Sequence, residues 1–167
     1  SRMSLDLYII SKTPVKHKGT GVWIRENGQN KELSPEEAKE RFPNNEFPEF
    51  ETEDNEYWHN NITSNLRKMS EQCVYKNGIE YSLYRMLWHP EETGLLDDGN
   101  VLTKEYVTIL LNLLNELQLH KDKYEMYNPA NGWGSYDTLY NFVDSLMTSL
   151  ISINNNDYKN YTVVASY

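Results

Sequence analysis

The stretch LDLYII, Leu5–Ile10, predicts a β-strand near one end of the chain and decides the class of fold. Its residues alternate between two sets, as in a strand with one buried face: Leu5, Leu7 and Ile9 against Asp6, Tyr8 and Ile10. Near the other end, YTVVASY, Tyr161–Tyr167, is rich in β-branched and aromatic residues and predicts a second strand. The simplest arrangement pairs the two strands in one antiparallel sheet.

The residues after the first strand carry two local signals. The dipeptide Asn27-Gly28 lies between short extended runs and predicts a type I′ hairpin, because both central positions of that turn need positive φ. The segment SPEEAKERF, residues 34–42, has the N-cap serine, first-turn proline and capping-box glutamate of a short helix. We therefore predict antiparallel β-structure followed by a peripheral helix.

Apolar residues at helical spacing predict the core helices. The runs are Ile62, Leu66, Met69 and Cys73 after a cap at Asn61 or Thr63; Ile79, Leu83 and Leu87 after a break at Asn77-Gly78; a broad apolar face after a cap at Thr103; and Leu139 to Leu150 in a helix that begins at about Tyr136. The predicted fold class is α+β: a small antiparallel sheet, formed by the N-terminal strands plus the C-terminal strand, packed against about four helices. A chain of 167 residues with 13 % aromatic residues is expected to form a single globular domain over residues 3–167.

The residue counts exclude several functional classes. The one cysteine, Cys73, permits neither an intramolecular disulfide nor a zinc site built from cysteines. The histidines form no HExxH or His-x-x-x-His pattern, and the glycines form no phosphate-binding or dinucleotide-binding motif. No apolar run approaches the roughly 18 residues of a membrane span. We therefore expect no metal, no cofactor, no membrane contact and a cytoplasmic location.

The formal net charge of −9 argues against direct binding to nucleic acid, which needs clustered lysines and arginines. Acidic residues concentrate in EFPEFETEDNE, Glu46–Glu56. One interpretation of this segment is a solvated loop or an edge strand whose charges discourage further pairing. The other is a partner-binding surface for a basic protein, because charge speeds association. Its predicted residues are Glu49, Glu51, Glu53 and Asp54.

Two segments combine amides and aromatic residues just before a predicted helix: EYWHNNIT, Glu56–Thr63, and NPANGWGS, Asn128–Ser135. A helix N-terminus offers backbone N–H groups to a phosphate or carboxylate, an indole stacks on a flat base, and an asparagine reads the edge of a heterocycle. Helix capping and turn formation explain the same residues without a ligand. The predicted ligand-binding residues are Trp58, His59, Asn61, Thr63, Asn65, Asn128, Asn131, Trp133 and Tyr136.

His59 is the one histidine inside these two segments, and it is the candidate catalytic residue. A general base needs a carboxylate or hydroxyl nearby, and the sequence offers Asn61 or Asp137 as its companion in a hydrolase or transferase. A hydrogen-bonded structural histidine is the alternative interpretation.

Three motifs together resemble a family of small uncharacterised proteins encoded by bacteriophages and bacteria. NITSNL, LWHPEE and NPANGWGSYDTL, at residues 61–66, 87–92 and 128–139, are similar to the family pattern NITxNL, LWxPEE and NPxNGWGxY, in that order. Similar sequences often carry a CPxCG-like pair of cysteines near the N-terminus. In this chain the predicted hairpin and the short helix after it occupy that region. The resemblance implies a viral or mobile-element context, the cytoplasm of a bacterial host and interaction with that host, and it supplies no mechanism.

Three functional hypotheses follow. The first is a non-enzymatic, phage-type binding protein whose pocket is built from the two Asn- and Trp-bearing segments and which sequesters a nucleotide-like or other anionic small molecule of the host. The second is an inhibitor that presents its acidic segment to a host defence protein. The third is an enzyme that uses His59. We favour the first, and its central requirement is that the two segments meet in space.

Overall fold

In the computed structural model of the protein, residues 3–47 and 50–167 are described. The strands are β1 (Ser4–Gly19), β2 (Trp23–Glu26), β3 (Gln29–Glu32), β4 (Phe50–Thr63), β5 (Val74–Asn77), β6 (Ile79–Ser82) and β7 (Tyr161–Ser166). The α-helices are α1 (Pro35–Arg41), α2 (Arg67–Gln72), α3 (Leu83–Trp88), α4 (Lys104–Leu119), α5 (Lys121–Glu125) and α6 (Tyr136–Ile151). Short 3₁₀ turns lie at Ser64–Leu66, Pro90–Glu92 and Asn155–Asn160.

The main sheet is antiparallel, with β1 between β4 and β7. The alternating residues of β1 behave as predicted, because Leu5, Leu7 and Ile9 are fully buried. Strand β7 of this sheet comes from the C-terminal segment and pairs with residues 6–11 of β1. The predicted pairing of strands from the two ends of the chain is therefore confirmed.

Helices α2 to α6 pack with the buried face of this sheet around one apolar core. Helix α4 begins after Thr103, whose Oγ1 accepts a hydrogen bond from Tyr106 N (3.2 Å). Helix α6 begins at Tyr136 as predicted and contacts both α4 and β4. The α+β class is confirmed. No helix in the described part of the chain has the length and apolarity needed to cross a membrane.

The residues from Tyr57 to Thr63 form the end of strand β4, so the prediction of a helix that begins at about Ile62 is wrong. Ile62 is buried in the sheet opposite Leu5, and this long-range pairing outweighs its local helical spacing. Thr63 does act as a cap, since its Oγ1 accepts from Asn65 N (3.2 Å), but the element it caps is a 3₁₀ turn of three residues. Helix α2 starts only after that turn.

Residues 79–82 were predicted to open the second core helix, and they form strand β6 paired with β5. The turn between the strands is made by Gly78 with φ +74°. Ile79 is consequently 65 % exposed rather than part of a buried helical stripe. Helix α3 begins after Ser82, whose Oγ accepts from Arg85 N (3.1 Å). The β-forming residues on each side of the glycine favour a hairpin over a continuous helix.

The outer parts of β1 and β4 form an exposed two-stranded arm, in which residues 15–19 pair with residues 50–54. The register shifts next to the arm, where Asn55 Nδ2 donates to the carbonyl oxygens of Ser11 (2.7 Å) and Lys12 (3.2 Å). The acidic segment is thus an edge strand from Phe50 onward, as one interpretation of the sequence predicted. Glu49 lies outside the described residues.

Candidate functional site

A cleft with a volume of about 600 Å³ lies between three segments of the chain. The hairpin β2–β3 contributes Arg25, Gly28, Gln29 and Asn30; the end of β4 and the turn after it contribute Asn61, Thr63, Ser64 and Asn65; and the loop before α6 contributes Asn131 and Trp133. Met3 and Ser4 complete the lining. Small-molecule pockets typically measure about 300–1,000 Å³, so the cleft is large enough for a ligand.

Two glycines allow the hairpin to dock against the loop before α6. A Cβ atom on Gly28 would lie 2.8 Å from Cα of Gly134 and 2.9 Å from Cγ2 of Thr63, which is closer than real Cβ atoms approach. A Cβ atom on Gly134 would lie 2.8 Å from the same Cγ2 atom. Both glycines also have positive φ, +80° and +88°. The three segments therefore meet at a contact that only glycine permits.

Hydrogen bonds hold the hairpin turn on both sides. Thr63 N donates to Gly28 O (2.8 Å), and Asn30 N donates to Asn61 Oδ1 (3.1 Å). From the first turn of α6, the hydroxyl of Thr138 donates to the carbonyl oxygen of the other turn residue, Asn27 (2.8 Å). The hairpin is consequently fixed to the end of β4 and to the start of α6.

The amide side chains of Asn65 and Asn131 join the other two segments. Asn65 Nδ2 donates to Asn131 Oδ1 and to the carbonyl oxygen of Trp133, both at 3.3 Å. Trp133 N donates to Asn131 Oδ1 (2.9 Å). The two segments that the sequence singled out therefore lie side by side in the cleft.

Arg25 gives the cleft its positive charge. Its guanidinium carbon lies 5.1 Å from the centroid of the Trp133 ring, within the range of a cation–π interaction. None of the described residues that line the cleft is acidic, and within the described chain Arg25 makes no ion pair. Arg41, beside the same hairpin, is by contrast paired with Glu26 (2.8 Å). The cleft thus combines an unpaired cation with a half-buried indole.

Five of the nine predicted ligand-binding residues line this one cleft. Three come from the end of β4 and the turn after it, and two come from the loop before α6: Asn61, Thr63 and Asn65, then Asn131 and Trp133. The meeting of the two segments, on which the binding hypothesis depends, is therefore present in the fold. The other four residues, Trp58, His59, Asn128 and Tyr136, have different environments.

Asn128 and Tyr136 stabilise the start of α6. Asn128 Oδ1 accepts from Tyr136 N (2.8 Å), and Thr138 Oγ1 accepts from Ser135 N (3.0 Å). The Tyr136 side chain is buried, its hydroxyl donates to Leu117 O (2.5 Å), and burial raises its pKa to about 12. The N–H groups of Ser135 and Tyr136 therefore already have acceptors within the protein.

Trp58 packs on the core side of the main sheet, away from the cleft lining. Its indole lies edge-to-face against Phe142 of α6, with ring centroids 5.6 Å apart. Its Nε1 donates to Ser145 Oγ (3.1 Å). The side chain therefore anchors α6 to β4, and this contact gives Trp58 a structural role.

His59 is held on the other face of the sheet. Its Nε2 lies 2.8 Å from Asp6 Oδ1, which also accepts from Asn61 Nδ2 (3.1 Å), and its ring stacks on Tyr8 with centroids 4.4 Å apart. Among the described residues, no hydroxyl or thiol is hydrogen-bonded to this imidazole. Asp137 instead lies 4.0 Å from a lysine of α5. These contacts orient the ring as a structural histidine and add no support to the enzymatic hypothesis.

The hairpin residues Arg25, Gln29 and Asn30 were not among the predicted ligand-binding residues. Their sequence, RENGQN, indicates a polar hairpin and says nothing about where that hairpin packs. The docking depends on Gln29 Nε2, which donates to Asn60 Oδ1 (3.2 Å) and to Asn61 O (3.1 Å). These bonds join residues 31 and 32 positions apart in the chain, so no local signal in the sequence could have revealed them.

The acidic residues of the arm face a basic strand. Glu53 pairs in register with Lys16 and Glu51 with Lys18, while Asp54 Oδ1 lies 3.1 Å from the imidazole of His17. Opposite charges on neighbouring strands stabilise the pairing. The negative charge of this strand is partly balanced within the chain, which reduces what it offers to a basic partner.

In the described part of the chain, one group of three residues brings potential metal-ligand atoms together. One atom each from His89, Glu91 and Glu92 lie within 4.8 Å of one another. The imidazole Nδ1 is 3.0 Å from Glu92 Oε2 and 2.9 Å from the hydroxyl of Tyr167, and Nε2 is 2.8 Å from the hydroxyl of Tyr84. Protein groups occupy both ring nitrogens, and these contacts explain the cluster without a cation.

Comparison of the chain with protein-family models, with curated proteins and with solved structures found no match. The resemblance to the phage and bacterial family therefore stays a prediction.

Proposed function

We propose that the protein binds a small anionic molecule with a flat ring in the cleft between the hairpin, the end of β4 and the loop before α6. The observation that carries this proposal is the pairing of Arg25 with Trp133 in a lining whose described residues include no acidic one. The role is binding rather than catalysis, because the cleft contains no histidine, cysteine or carboxylate among its described residues.

The two side chains suit the two parts of such a ligand. An indole offers a flat apolar face on which a planar ring stacks, and a guanidinium binds a phosphate or carboxylate with two parallel hydrogen bonds. The amides of Gln29, Asn30, Asn65 and Asn131 surround this pair with further donors and acceptors. We propose sequestration of a host molecule as the biological role, which agrees with the host interaction that the family resemblance implies.

Isothermal titration calorimetry against a panel of nucleotides and cyclic nucleotides tests the proposal, with Trp133→Ala as the key variant. Stacking of a base on an aromatic side chain contributes about 1–3 kcal/mol, so we expect affinity to fall roughly 5- to 150-fold. Trp23→Ala is the matched control, because Trp23 lies on strand β2 beside the cleft, is 57 % exposed and does not line the cleft. Its affinity should stay near that of the parent.

The charge is tested by Arg25→Gln, compared with Arg85→Gln as an exposed arginine on α3 outside the cleft. A hydrogen bond to a charged group contributes about 1.5–3 kcal/mol, so the first variant should lose roughly 13- to 150-fold in affinity and the second little. Titrations without heat for every member of the panel, or equal losses in the two arginine variants, would overturn the proposal.

A further inference from the structure

The hydrogen bonds around Asn131 fix which way its amide points. Trp133 N is a donor only, so the atom that it contacts at 2.9 Å must be the amide oxygen, Oδ1. Asn65 Nδ2 donates to the same oxygen (3.3 Å). The amide nitrogen of Asn131 consequently lies on the side away from both contacts.

The orientation of the Asn65 amide is likewise determined by its hydrogen bonds. Its Nδ2 contacts two groups that can only accept, Asn131 Oδ1 and the carbonyl oxygen of Trp133, both at 3.3 Å. Its Oδ1 atom is then on the opposite side of the amide. Each side chain uses one half of its amide to hold the loop and leaves the other half for a further partner.

The two unused halves are complementary. Among the described residues, neither Asn131 Nδ2 nor Asn65 Oδ1 has a hydrogen-bond partner, and both side chains are exposed in the cleft lining. One is a donor and one is an acceptor, on residues that are hydrogen-bonded to each other. A ligand edge that carries both an acceptor and a donor could contact both of these atoms.

We propose that these two amides read the edge of a nucleobase, and that the ligand of the cleft is a mononucleotide. This inference rests on the proposed function. Nucleobases carry neighbouring donors and acceptors on their edges, and proteins recognise unpaired bases by stacking them on aromatic rings while hydrogen-bonding those edges. In this arrangement the Trp133 indole stacks on the base, Asn131 and Asn65 contact its edge, and Arg25 binds the phosphate.

The variant Asn131→Asp isolates the edge contact. The aspartate keeps an oxygen for Trp133 N and for Asn65 Nδ2, so the loop retains its hydrogen bonds, while the Nδ2 donor becomes an acceptor. Asn128→Asp is the matched control, because it adds the same charge to the same loop and its Oδ1 contact to Tyr136 N is also kept. Asn128 does not line the cleft.

The probes are adenosine, guanosine, cytidine and uridine 5′-monophosphates, with phenyl phosphate as an anion that has a flat ring but no donor–acceptor edge. In calorimetry the nucleotide that binds best should lose at least about 10-fold in affinity in Asn131→Asp beyond any loss of phenyl phosphate, and almost none in Asn128→Asp.

Equal losses of the nucleotide and of phenyl phosphate in Asn131→Asp, or equal losses of the nucleotide in both variants, would overturn the edge contact and leave the binding of a ring-bearing anion in place. Absence of heat with every probe, phenyl phosphate included, would instead overturn the proposed function itself. The two failures are thereby distinguished.

Discussion

Replacing Gly28 with alanine should destabilise the protein far more than the same replacement at Gly78. Both glycines form hairpin turns with similar positive φ, +80° and +74°. Alanine therefore meets the same left-handed strain at each, about 1–2 kcal/mol. The surroundings differ, because nothing lies within 4 Å of a Cβ atom added at Gly78, whereas at Gly28 that atom would lie 2.8 Å from Cα of Gly134.

The contact at Gly28 adds an overpacking cost of about 1–3 kcal/mol, since neither neighbour can move away freely. Gly134 presents backbone, and Thr63, whose Cγ2 would lie 2.9 Å from the new atom, is held by its hydroxyl contact to Asn65 N (3.2 Å). Adding the two effects, we expect a loss of about 2–5 kcal/mol in the free energy of unfolding for Gly28→Ala and about 1–2 kcal/mol for Gly78→Ala.

Urea titrations followed by far-UV circular dichroism and by tryptophan fluorescence measure both losses. Detachment of the hairpin is the other way for the protein to relieve the contact, and it would appear in Gly28→Ala as faster hydrogen exchange in β3. A difference of less than about 0.5 kcal/mol between the variants, with unchanged exchange in β3, would refute the argument that close packing at Gly28 builds the cleft.

Three further expectations concern the rest of the chain. The thiol of Cys73 should not react with Ellman's reagent at pH 8 until the protein is unfolded in urea, because burial raises its pKa to about 12. Thr103→Ala should lower the unfolding free energy by about 1 kcal/mol through loss of the α4 cap, whereas Thr108→Ala, on the exposed face of α4, should change it little in a thermal melt. The hydrogen bond from Lys31 holds the pKa of Glu37 below its ordinary value of 4.5. The ionised Glu37 therefore contributes to stability at neutral pH, and this contribution is lost as the pH falls below that value. Glu37→Gln should consequently make the acid limb of a pH–stability profile shallower.

The elements with strong local signals were predictable from the sequence. The buried positions Leu5, Leu7 and Ile9 alternate as the sequence predicted for strand β1. The dipeptide Asn27-Gly28 forms the predicted hairpin turn between β2 and β3, with both residues at positive φ. These features depend on the preferences of a few neighbouring residues, which is why the sequence reveals them. The hairpin of β5 and β6 was missed because apolar spacing after the glycine mimics a helix over so short a run.

The cleft was predictable only in part, because its assembly depends on contacts between distant segments. Trp58 and Trp133 occur in similar local sequences rich in asparagine. Trp58 nevertheless packs against Phe142 on the core side of the sheet, whereas Trp133 lies beside Arg25 in the cleft. The difference follows from the strand β4, where side chains alternate between faces, and this strand was predicted as a helix entrance. Arg25 could not be found at all without knowing that Gly28 docks on Gly134.

The distribution of charge makes the proposed anion site compatible with a net charge of −9. Carboxylates of the arm, such as Glu51 and Glu53, lie opposite lysines, whereas the described lining of the cleft contains Arg25 and no acidic residue. Charges more than about 8 Å away are largely screened at physiological ionic strength, so a ligand that fits inside the cleft interacts chiefly with the residues that line it. A nucleic-acid strand would extend beyond the cleft and bring further phosphates against the net negative surface. The net negative charge therefore disfavours binding of a polyanion but has little effect on a single small anion inside the cleft. A mononucleotide is consequently a better candidate ligand than a nucleic-acid strand.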